Sequence, residues 1–364
     1  MPAMNRKRKI KILIIDDSAV VRQMLTAILE QDSEFEVVGT AANPLIAREK
    51  IKSLKPDVLT LDVEMPGMDG ITFLEKLMRL YPLPVVMVSS LTKGGASATL
   101  RALSLGAVDF VTKPQKGVRD AIGSLSDEIC TKVRAAAMAH VRPAHTMAPI
   151  PVALLSSSRN TKAVSNEIIV AIGASAGGIQ AITEVLTRLP AQTPGIVIVQ
   201  HMPANFTASF AERLNTQCAM EVREAKDGDR VKPGLALLAP GGYHMAVQRN
   251  HQGYLVQVYE GDKVNLHRPS VDVLFDSVAR CAGQKALGII LTGMGSDGAR
   301  GLGAMKKAGA YTIAQDEKSC VVFGMPDQAI RQGAACVVRP LEQMASGIMQ
   351  WAFPEEKTGE QLSS

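Results

Sequence analysis

The stretch IKILIIDD, residues 10–17, is a short apolar run that ends abruptly in two acids. Such a run suits a buried strand of a parallel sheet, because both faces of that sheet are covered by helices. A basic run, Arg6-Lys7-Arg8-Lys9, precedes it, but the apolar part is too short for the core of a secretory signal. The stretch therefore predicts the first strand of an α/β domain.

Four more short apolar runs follow, and amphipathic segments separate them. The predicted strands are 10–15, 36–40, 57–61, 84–88 and 107–111, and the predicted helices between them are 19–30, 45–54, 71–80 and 96–105. Five βα units in succession indicate a doubly wound, flavodoxin-like (βα)5 sheet. We assign residues 10–132 to this first domain, which a helical stretch at about 117–139 would close.

The composition then changes. Residues 140–166 carry three prolines and a serine run without clear periodicity, which is typical of a linker. We assign 133–166 to the linker and 167–352 to a second α/β domain, doubly wound and mostly parallel. Its predicted strands are 168–172, 195–200, 235–239, 286–291 and 311–314, with a hairpin over 243–259 that turns at Asn250 to Gly253.

Composition narrows the class of protein. The chain has 364 residues, of which 46% are apolar and 21% charged, and its net charge of +5 is dispersed apart from the basic run near the start. No aromatic residues interleave with that run, so a nucleic-acid site is not expected. No segment approaches membrane-spanning length, and the five cysteines form no CxxC pair. We expect a cytoplasmic protein with reduced thiols and no direct membrane insertion.

Polar residues follow the predicted strands of the first domain at their carboxyl ends. They are Asp16 and Asp17, then Asp62, Ser89 and Lys113. Parallel strands bring these ends to one edge of the sheet, where three carboxylates would repel one another without a hard cation such as Mg²⁺. A carboxylate there can accept a phosphoryl group, while a hydroxyl and an ammonium contact its oxygens. For each residue alone, capping of the next helix is the alternative.

This cluster, the segment DVEMPGMDG at 62–70 and the pair Lys113-Pro114 together resemble the receiver domains of two-component response regulators over nearly all of residues 10–132. The resemblance implies that Asp62 is the phosphoacceptor and that Asp16 and Asp17 bind Mg²⁺ with it. It also implies that Ser89 is the switch hydroxyl and that Lys113 contacts the phosphate. A cis Lys113-Pro114 peptide bond is a further expectation.

In the second domain, GASAGG at 173–178 follows an apolar strand and precedes a helical run. Ser175 lies at the centre of a GxSxG pattern, which places a nucleophile on a tight strand–helix turn. Alone the pattern is weak evidence for a nucleophile, because Gly-rich turns between a strand and a helix also bind phosphate or have only a structural role.

His201 directly follows the strand at 195–200, and Asp297 lies in the Gly-rich loop after the strand at 286–291. At the same sheet edge, His201 can act as the base for Ser175, and Asp297 can orient the imidazole. Capping is the alternative for Asp297. The chain order Ser, His, Asp differs from that of the usual α/β-hydrolases, which would need Asp227 or Asp262 with His244 or His267. These pairings stay open at this point.

Residues 168–350 resemble the catalytic domain of the chemotaxis methylesterases (CheB type). The motifs that carry the resemblance are GASAGG, VQHMPANFT, APGGYHM, HRPSVDVLF, LTGMGSDGA and FGMP. The resemblance implies Ser175 as nucleophile, His201 as base and Asp297 as orienting acid, with Ala176 and Met294 at the oxyanion site. Ala176 departs from the family, where Thr is frequent, so the amide is kept while a hydroxyl contact is lost.

The two resemblances together imply a phosphorylation-activated serine esterase that converts glutamate methyl esters on chemoreceptors to glutamate and methanol, with glutamine deamidation as a second activity. Methylated chemoreceptors would be the substrate and a chemotaxis histidine kinase the phosphodonor. Mg²⁺ would serve phosphorylation, and the esterase would need no cofactor. The alternatives are a hydrolase or amidase for another substrate and a non-enzymatic output domain. A DNA-binding output fits least, since the second domain is too large for a simple helix-turn-helix module.

Overall fold

A computed structural model describes residues 8–89, 93–113, 122–141 and 165–354. In the first domain, five parallel strands form one sheet in the order β2-β1-β3-β4-β5. The strands are β1 (Ile10–Ile15), β2 (Phe35–Ala41), β3 (Val58–Asp62), β4 (Val85–Ser89) and β5 (Asp109–Thr112). The helices are α1 (Ala19–Leu29), α2 (Pro44–Leu54), α3 (Gly70–Leu80), α4 (Lys93–Ser104) and α5 (Ile122–Ala137). The predicted flavodoxin-like sheet is confirmed.

Local sequence explains where the first helices begin. Ser18, Asn43 and Asp69 are the N-caps of α1, α2 and α3, and each side chain accepts a hydrogen bond from a first-turn amide. Such caps satisfy N–H groups that have no partner within the helix. Asp16 and Asp62 are therefore not the N-caps of α1 and α3, which leaves both carboxylates for another role.

The second domain contains a sheet of seven parallel strands in the order β14-β13-β12-β6-β7-β9-β8. Its strands are β6 (Ile169–Ala174), β7 (Gly195–Gln200), β8 (Glu221–Glu224), β9 (Leu235–Leu238), β12 (Ala286–Ile290), β13 (Tyr311–Gln315) and β14 (Val337–Arg339). Its helices are α6 (Gly178–Thr187), α7 (Ala204–Asn215), α8 (Val271–Ala282), α9 (Ala299–Lys307), α10 (Met325–Arg331) and α11 (Met344–Ala352). The central strands are fully buried, as expected for a sheet covered on both faces.

The predicted hairpin is present as β10 (His244–Asn250) and β11 (Gly253–Tyr259), paired antiparallel and turning between Asn250 and Gly253. It forms a separate two-stranded sheet. The Ser277 hydroxyl of α8 accepts a hydrogen bond from the Val247 amide at 2.8 Å. The hairpin thus packs beside α8 and leaves the main sheet wholly parallel.

The sequence analysis missed β8 and β14. Both are short edge strands of the large sheet with half-exposed, partly charged sequences, so they carry no apolar run. Helix α5 continues to Ala137, past residue 133 where we placed the start of the linker. The rest of that linker lies mostly outside the described residues. Of the described helices, none combines the length and apolar character needed to cross a bilayer.

The two domains pack together at the β5 edge of the first one. Phe110 of β5 and Phe206 of α7 are both buried, and their ring centroids lie 4.3 Å apart. The Gly177 amide donates to the Val108 carbonyl at 3.1 Å, and Arg213 donates to the Ser104 hydroxyl at 2.9 Å. An aromatic pair of this kind contributes about 1 kcal/mol beyond its buried area. The contact therefore has an apolar centre and hydrogen bonds around it.

Candidate active site and acidic cluster

Three neighbouring strands place the predicted residues of the second domain. In the sheet β6 lies between β12 and β7, and the chain continues from β6 toward one edge before it returns to the other. That reversal is a topological switch point, where loops separate and leave a crevice. Ser175 follows β6, His201 follows β7, and Asp297 lies in the loop after β12. The structure brings all three loops together there.

The turn that carries Ser175 depends on its glycines. Gly177 has φ of +75°, a left-handed conformation, and a Cβ there would lie 2.5 Å from the Val321 Cβ. On the other side, a Cβ on Gly293 would lie 2.8 Å from the Ser175 Cβ. Glycine is the residue that accepts both the positive φ and the close approach. The loop after β12 can therefore lie directly against Ser175.

His201 and Asp297 form a buried pair. The His201 Nε2 lies 2.8 Å from the Asp297 Oδ2, and the two side chains are 7% and 1% exposed. The other ring nitrogen, Nδ1, is buried and has no hydrogen-bond partner among the described residues. With Nε2 occupied by the carboxylate, Nδ1 is the nitrogen left to accept a proton.

Asp297 is held by donors only. Its carboxylate also accepts hydrogen bonds from the Asn265 amide, the Ser270 hydroxyl and the Val271 and Asp272 amides at the N-terminus of α8, at 2.7, 2.8, 2.7 and 3.2 Å. Burial raises the pKa of Asp297, but the hydrogen bonds and charge of His201 and the bonds from Asn265 and Ser270 outweigh it and hold the pKa well below its usual range. The residue is thus a fixed anion beside the imidazole.

The amide of Ala176 directly follows Ser175 in the chain, and that of Met294 follows Gly293, whose Cα lies against the Ser175 side chain. Neither amide donates a hydrogen bond among the residues described. The Thr292 hydroxyl ties the two loops together, since it donates to the Ala176 carbonyl at 2.9 Å and accepts from the Val322 amide at 2.9 Å. Two N–H groups beside a serine can stabilise an oxyanion.

The cleft in front of Ser175 lies between the two domains. It is lined by Ser175 and His201 on one side and by Asp109 and Phe110 of β5 on the other. Ala176 also belongs to the apolar cluster that includes Val108 of the first domain. The β5 edge therefore forms one wall of the cleft that Ser175 lines.

The other histidines have different surroundings. His267 stacks on the His201 ring, with centroids 3.7 Å apart and planes inclined by 12°. His244 contacts the backbone carbonyl of Asp262 at 2.8 Å, not its carboxylate. Asp227 accepts from the Val258 amide. The alternative acid–histidine pairings are therefore not assembled.

In the first domain, the Lys113 Nζ lies 2.7 Å from Asp62 and 3.3 Å from Asp16. Carboxylate oxygens of Asp16, Asp17 and Asp62 lie within 4.8 Å of one another, with Asp17 exposed and the other two buried. Three carboxylates with one lysine fit a hard divalent cation, which prefers oxygen ligands. A Cβ on Gly70 would lie 1.9 Å from the Asp62 carbonyl, so glycine is required where α3 begins beside Asp62.

Burial raises the pKa of Asp62 to about 6, and the charge of Asp16 adds to this, while Lys113 opposes it. Burial likewise raises the pKa of Asp16. Two buried acids that resist ionisation together indicate that a cation would bind favourably there.

Ser89 is fully buried, and its hydroxyl accepts a hydrogen bond from the Thr99 hydroxyl of α4 at 2.7 Å. Through Thr99 the predicted switch residue is therefore connected to the helix that contacts the second domain. The predicted cis Lys113-Pro114 bond lies outside the described residues. The cis bond that the structure describes is Arg268–Pro269.

Three residues around the His–Asp pair were not predicted from the sequence: Asn265, Ser270 and Asp272. His267 was considered only as an alternative partner for Asp227 or Asp262, and the structure places its ring against His201 instead. All four lie in or next to the HRPSVDVLF motif. Asp272 accepts from the Gly298 and Gly301 amides at the start of α9, just as Asp297 accepts from the start of α8. Each acid therefore binds the N-terminus of a helix, where anions are stabilised.

Comparison with known proteins covers almost the whole chain. The CheB methylesterase family matches residues 170–348, and the response regulator receiver domain family matches residues 12–120. A protein-glutamate methylesterase/protein-glutamine glutaminase of Bordetella avium is 56% identical over 95% of this chain and 98% of its own length. Its counterpart in Salmonella typhimurium is 54% identical over 94% of this chain and 96% of its own. The crystal structure of the Thermotoga maritima CheB methylesterase catalytic domain is 39% identical, covers 50% of this chain and 97% of its own, and has a TM-score of 0.49.

Proposed function

Because the chain belongs to the CheB methylesterase family and carries a receiver domain, we propose that it is a phosphorylation-activated protein-glutamate methylesterase. Its substrates are glutamate methyl esters on chemoreceptors, and its products are the glutamate side chain and methanol. The same site deamidates receptor glutamines. The observation that carries the proposal is the buried His201–Asp297 pair beside Ser175, in a cleft that the receiver covers.

In the ester reaction, the Nδ1 of His201 accepts the Ser175 proton while the serine oxygen attacks the ester carbonyl carbon. The negative charge that develops on the carbonyl oxygen is stabilised by the amides of Ala176 and Met294. The C–O bond to methoxide then breaks, and His201 gives its proton to the leaving oxygen. Methanol leaves, and the acyl group stays on Ser175.

Water completes the cycle. His201 accepts a proton from water, the hydroxide attacks the acyl carbon, and the bond to Ser175 breaks as the proton returns to the serine oxygen. Throughout, Asp297 stabilises the charged imidazole and keeps Nε2 bonded, so that Nδ1 remains the reacting nitrogen. With a glutamine substrate the leaving group is ammonia, which requires proton donation from His201 before it departs.

The receiver controls access. Asp62 accepts a phosphoryl group from a chemotaxis histidine kinase, and Asp16 and Asp17 hold Mg²⁺ with it. When bound, Mg²⁺ neutralises charge between the carboxylates and the phosphoryl oxygens. Lys113 and the Ser89 hydroxyl contact the phosphoryl group.

To reach the phosphoryl group, Ser89 must leave Thr99. That exchange disturbs α4, which carries the Ser104 contact to Arg213. The change then weakens the packing of β5 over the Ser175 turn and opens the cleft.

The decisive test measures methanol release from methylated chemoreceptors by the full chain, comparing wild type with Ser175→Ala. Release that rises with Mg²⁺ and a small-molecule phosphodonor and is absent in Ser175→Ala is expected. A Ser175→Ala protein that keeps near wild-type turnover would overturn the assignment. Release of methanol from simple esters but not from receptors would point to a different substrate.

A second variant tests the control. Asp62→Asn is expected to keep the unstimulated rate and to lose activation by the phosphodonor. Strong stimulation of this variant would contradict the role of Asp62.

A further inference from the structure

His201 has a neighbour on its ring face that the proposed reaction does not use. The His267 ring lies parallel to it, with centroids 3.7 Å apart and an angle of 12° between the planes. A flat contact at that distance covers one face of the imidazole. Any role of His267 in catalysis rests on the proposed function, because His201 is the base of that reaction.

The hydrogen bonds of His201 do not by themselves fix the tilt of its ring. Its backbone amide donates to the Ala174 carbonyl at 3.1 Å, which fixes the main chain. The hydrogen bond from Nε2 to Asp297 fixes one edge of the ring, but rotation about that bond still moves Nδ1. Nδ1 has no partner in the described residues, and Ala176 offers no hydroxyl to hold it.

The backbone of His267 is held in a tight turn. Its amide donates to the Val264 carbonyl at 2.9 Å, and its carbonyl accepts from the Val264 amide at 3.1 Å. Between them, Asn265 and Leu266 have φ of +52° and +69°. Non-glycine residues adopt such angles when the surrounding structure imposes them. The Asn265 side chain then bonds both Asp297 and Asp272, at 2.7 and 2.9 Å.

This tight turn therefore ties two parts of the catalytic pair together. Asn265 contacts the acid, and His267 contacts the base. We propose that His267 is a positioning residue: its ring fixes the plane of His201, so that Nε2 stays on Asp297 and Nδ1 stays directed to Ser175.

The role requires an uncharged ring. Burial, together with the charge of His201, lowers the pKa of His267 to about 3. The charged groups around the two rings are Asp297 beside them, Lys263 on the same loop, and Asp109 and Lys132 of the receiver. When His201 takes the serine proton, it therefore faces a neutral ring on one side and the Asp297 anion on its edge.

The test uses the full chain with Mg²⁺, a small-molecule phosphodonor and methylated receptor. His267→Ala is expected to lower kcat about 30-fold, because a displacement of about 1 Å in a reacting group can cost up to about 100-fold. KM should change less than about twofold, since His267 does not bind the ester. His267→Phe restores a flat neutral ring and should recover at least about a third of the wild-type kcat. His251→Ala, at the exposed hairpin turn, is the control for loss of a histidine.

The pH profile separates positioning from general structural damage. His267→Arg places a cation on the ring face, which disfavours protonation of His201 and should move the acid limb of kcat/KM about 1 unit lower. His267→Phe should leave that limb in place. Thermal unfolding of each variant checks that it is folded.

The outcomes are distinct. If wild type releases no methanol from receptor, the proposed function fails. If wild type is active and folded His267→Ala keeps its kcat, or if His267→Phe is as impaired as His267→Ala, the positioning role is overturned. Loss in His267→Ala, recovery in His267→Phe and the shifted limb in His267→Arg establish it.

Discussion

Replacing Asp297 with Asn tests the electrostatics of the site most directly. Every partner of the carboxylate is a donor, and two of them are the backbone amides of Val271 and Asp272, which cannot change role. An asparagine side chain has one acceptor oxygen. Its NH₂ group takes the place of the second carboxylate oxygen and must face hydrogen-bond donors there. With the amide on the Oδ2 side, the contacts to His201 and Val271 are lost. On the Oδ1 side, the contacts to Asn265 and Asp272 are lost, while the Ser270 hydroxyl can rotate.

Either arrangement removes two hydrogen bonds to a buried anion, each contributing about 1.5 to 3 kcal/mol. Part of this loss is offset, because the neutral side chain is less costly to bury. We therefore expect Asp297→Asn to lower the free energy of unfolding by about 2 to 4 kcal/mol. The rate should fall about 10³- to 10⁴-fold, since the imidazolium loses its counter-charge and its fixed tautomer.

The matched control is Asp276→Asn on α8, the helix whose first amides donate to Asp297. Asp276 pairs with the exposed Arg300 at 2.6 Å. A pair of that kind contributes less than about 1 kcal/mol. Denaturant unfolding and methanol release, measured for both variants, give the two comparisons. A kcat for Asp297→Asn within tenfold of wild type would refute the argument.

The same variant should show a pH dependence. The folded protein holds the pKa of Asp297 below its unfolded value of about 3.9. The stability that Asp297 contributes is therefore fully present above that value and is lost as the pH falls below it. The gap in unfolding free energy between wild type and Asp297→Asn should narrow below about pH 4, and a gap that widens there would contradict this account.

Three further predictions concern the receiver. Because the pKa of Asp62 is raised to about 6, titration calorimetry should show that the apparent Mg²⁺ affinity falls below that pH in proportion to the fraction of Asp62 that is still deprotonated. A Mg²⁺ affinity independent of pH from 5 to 8 would be evidence against it. Arg213→Ala removes the hydrogen bond to Ser104, which contributes about 1 kcal/mol. Methanol release without phosphodonor should therefore rise about fivefold. An unchanged rate would show that this contact does not hold the cleft closed. Under the proposed function Ser89 gives up its hydrogen bond from Thr99 to contact the phosphoryl group, so Thr99→Val, which removes that bond, should lower the phosphodonor concentration for half-maximal activation about fivefold. A higher concentration for half-maximal activation would contradict this role of Thr99.

Strand-end residues were predictable from the sequence because their positions follow from topology. Once Ser175, His201 and Asp297 are placed after parallel strands, the order β12-β6-β7 makes them neighbours. The same holds for Asp62 and Lys113 in the receiver. A short apolar run marks each of these strands, and the residue that ends it is visible in the sequence.

The residues that support the pair were not predictable in this way. Asn265 and His267 lie in an irregular turn between the hairpin and α8. Two residues of this turn, Asn265 and Leu266, have positive φ angles, and no glycine in the sequence marks these positions. Their distance in space from Ser175, His201 and Asp297 depends on how the hairpin packs. The edge strands β8 and β14 were missed because they are short and half exposed, so burial leaves little periodic pattern in them.

The Gly177 amide that donates to Val108 belongs to the turn that carries the nucleophile. Under the proposed function, receiver and receptor would compete for this surface. Thermodynamic reciprocity then applies: by whatever factor phosphorylation strengthens receptor binding, bound receptor favours the phosphorylated receiver by the same factor. Under the proposed function, the substrate would thus also act as an effector of the receiver and would favour the open cleft in which it is hydrolysed.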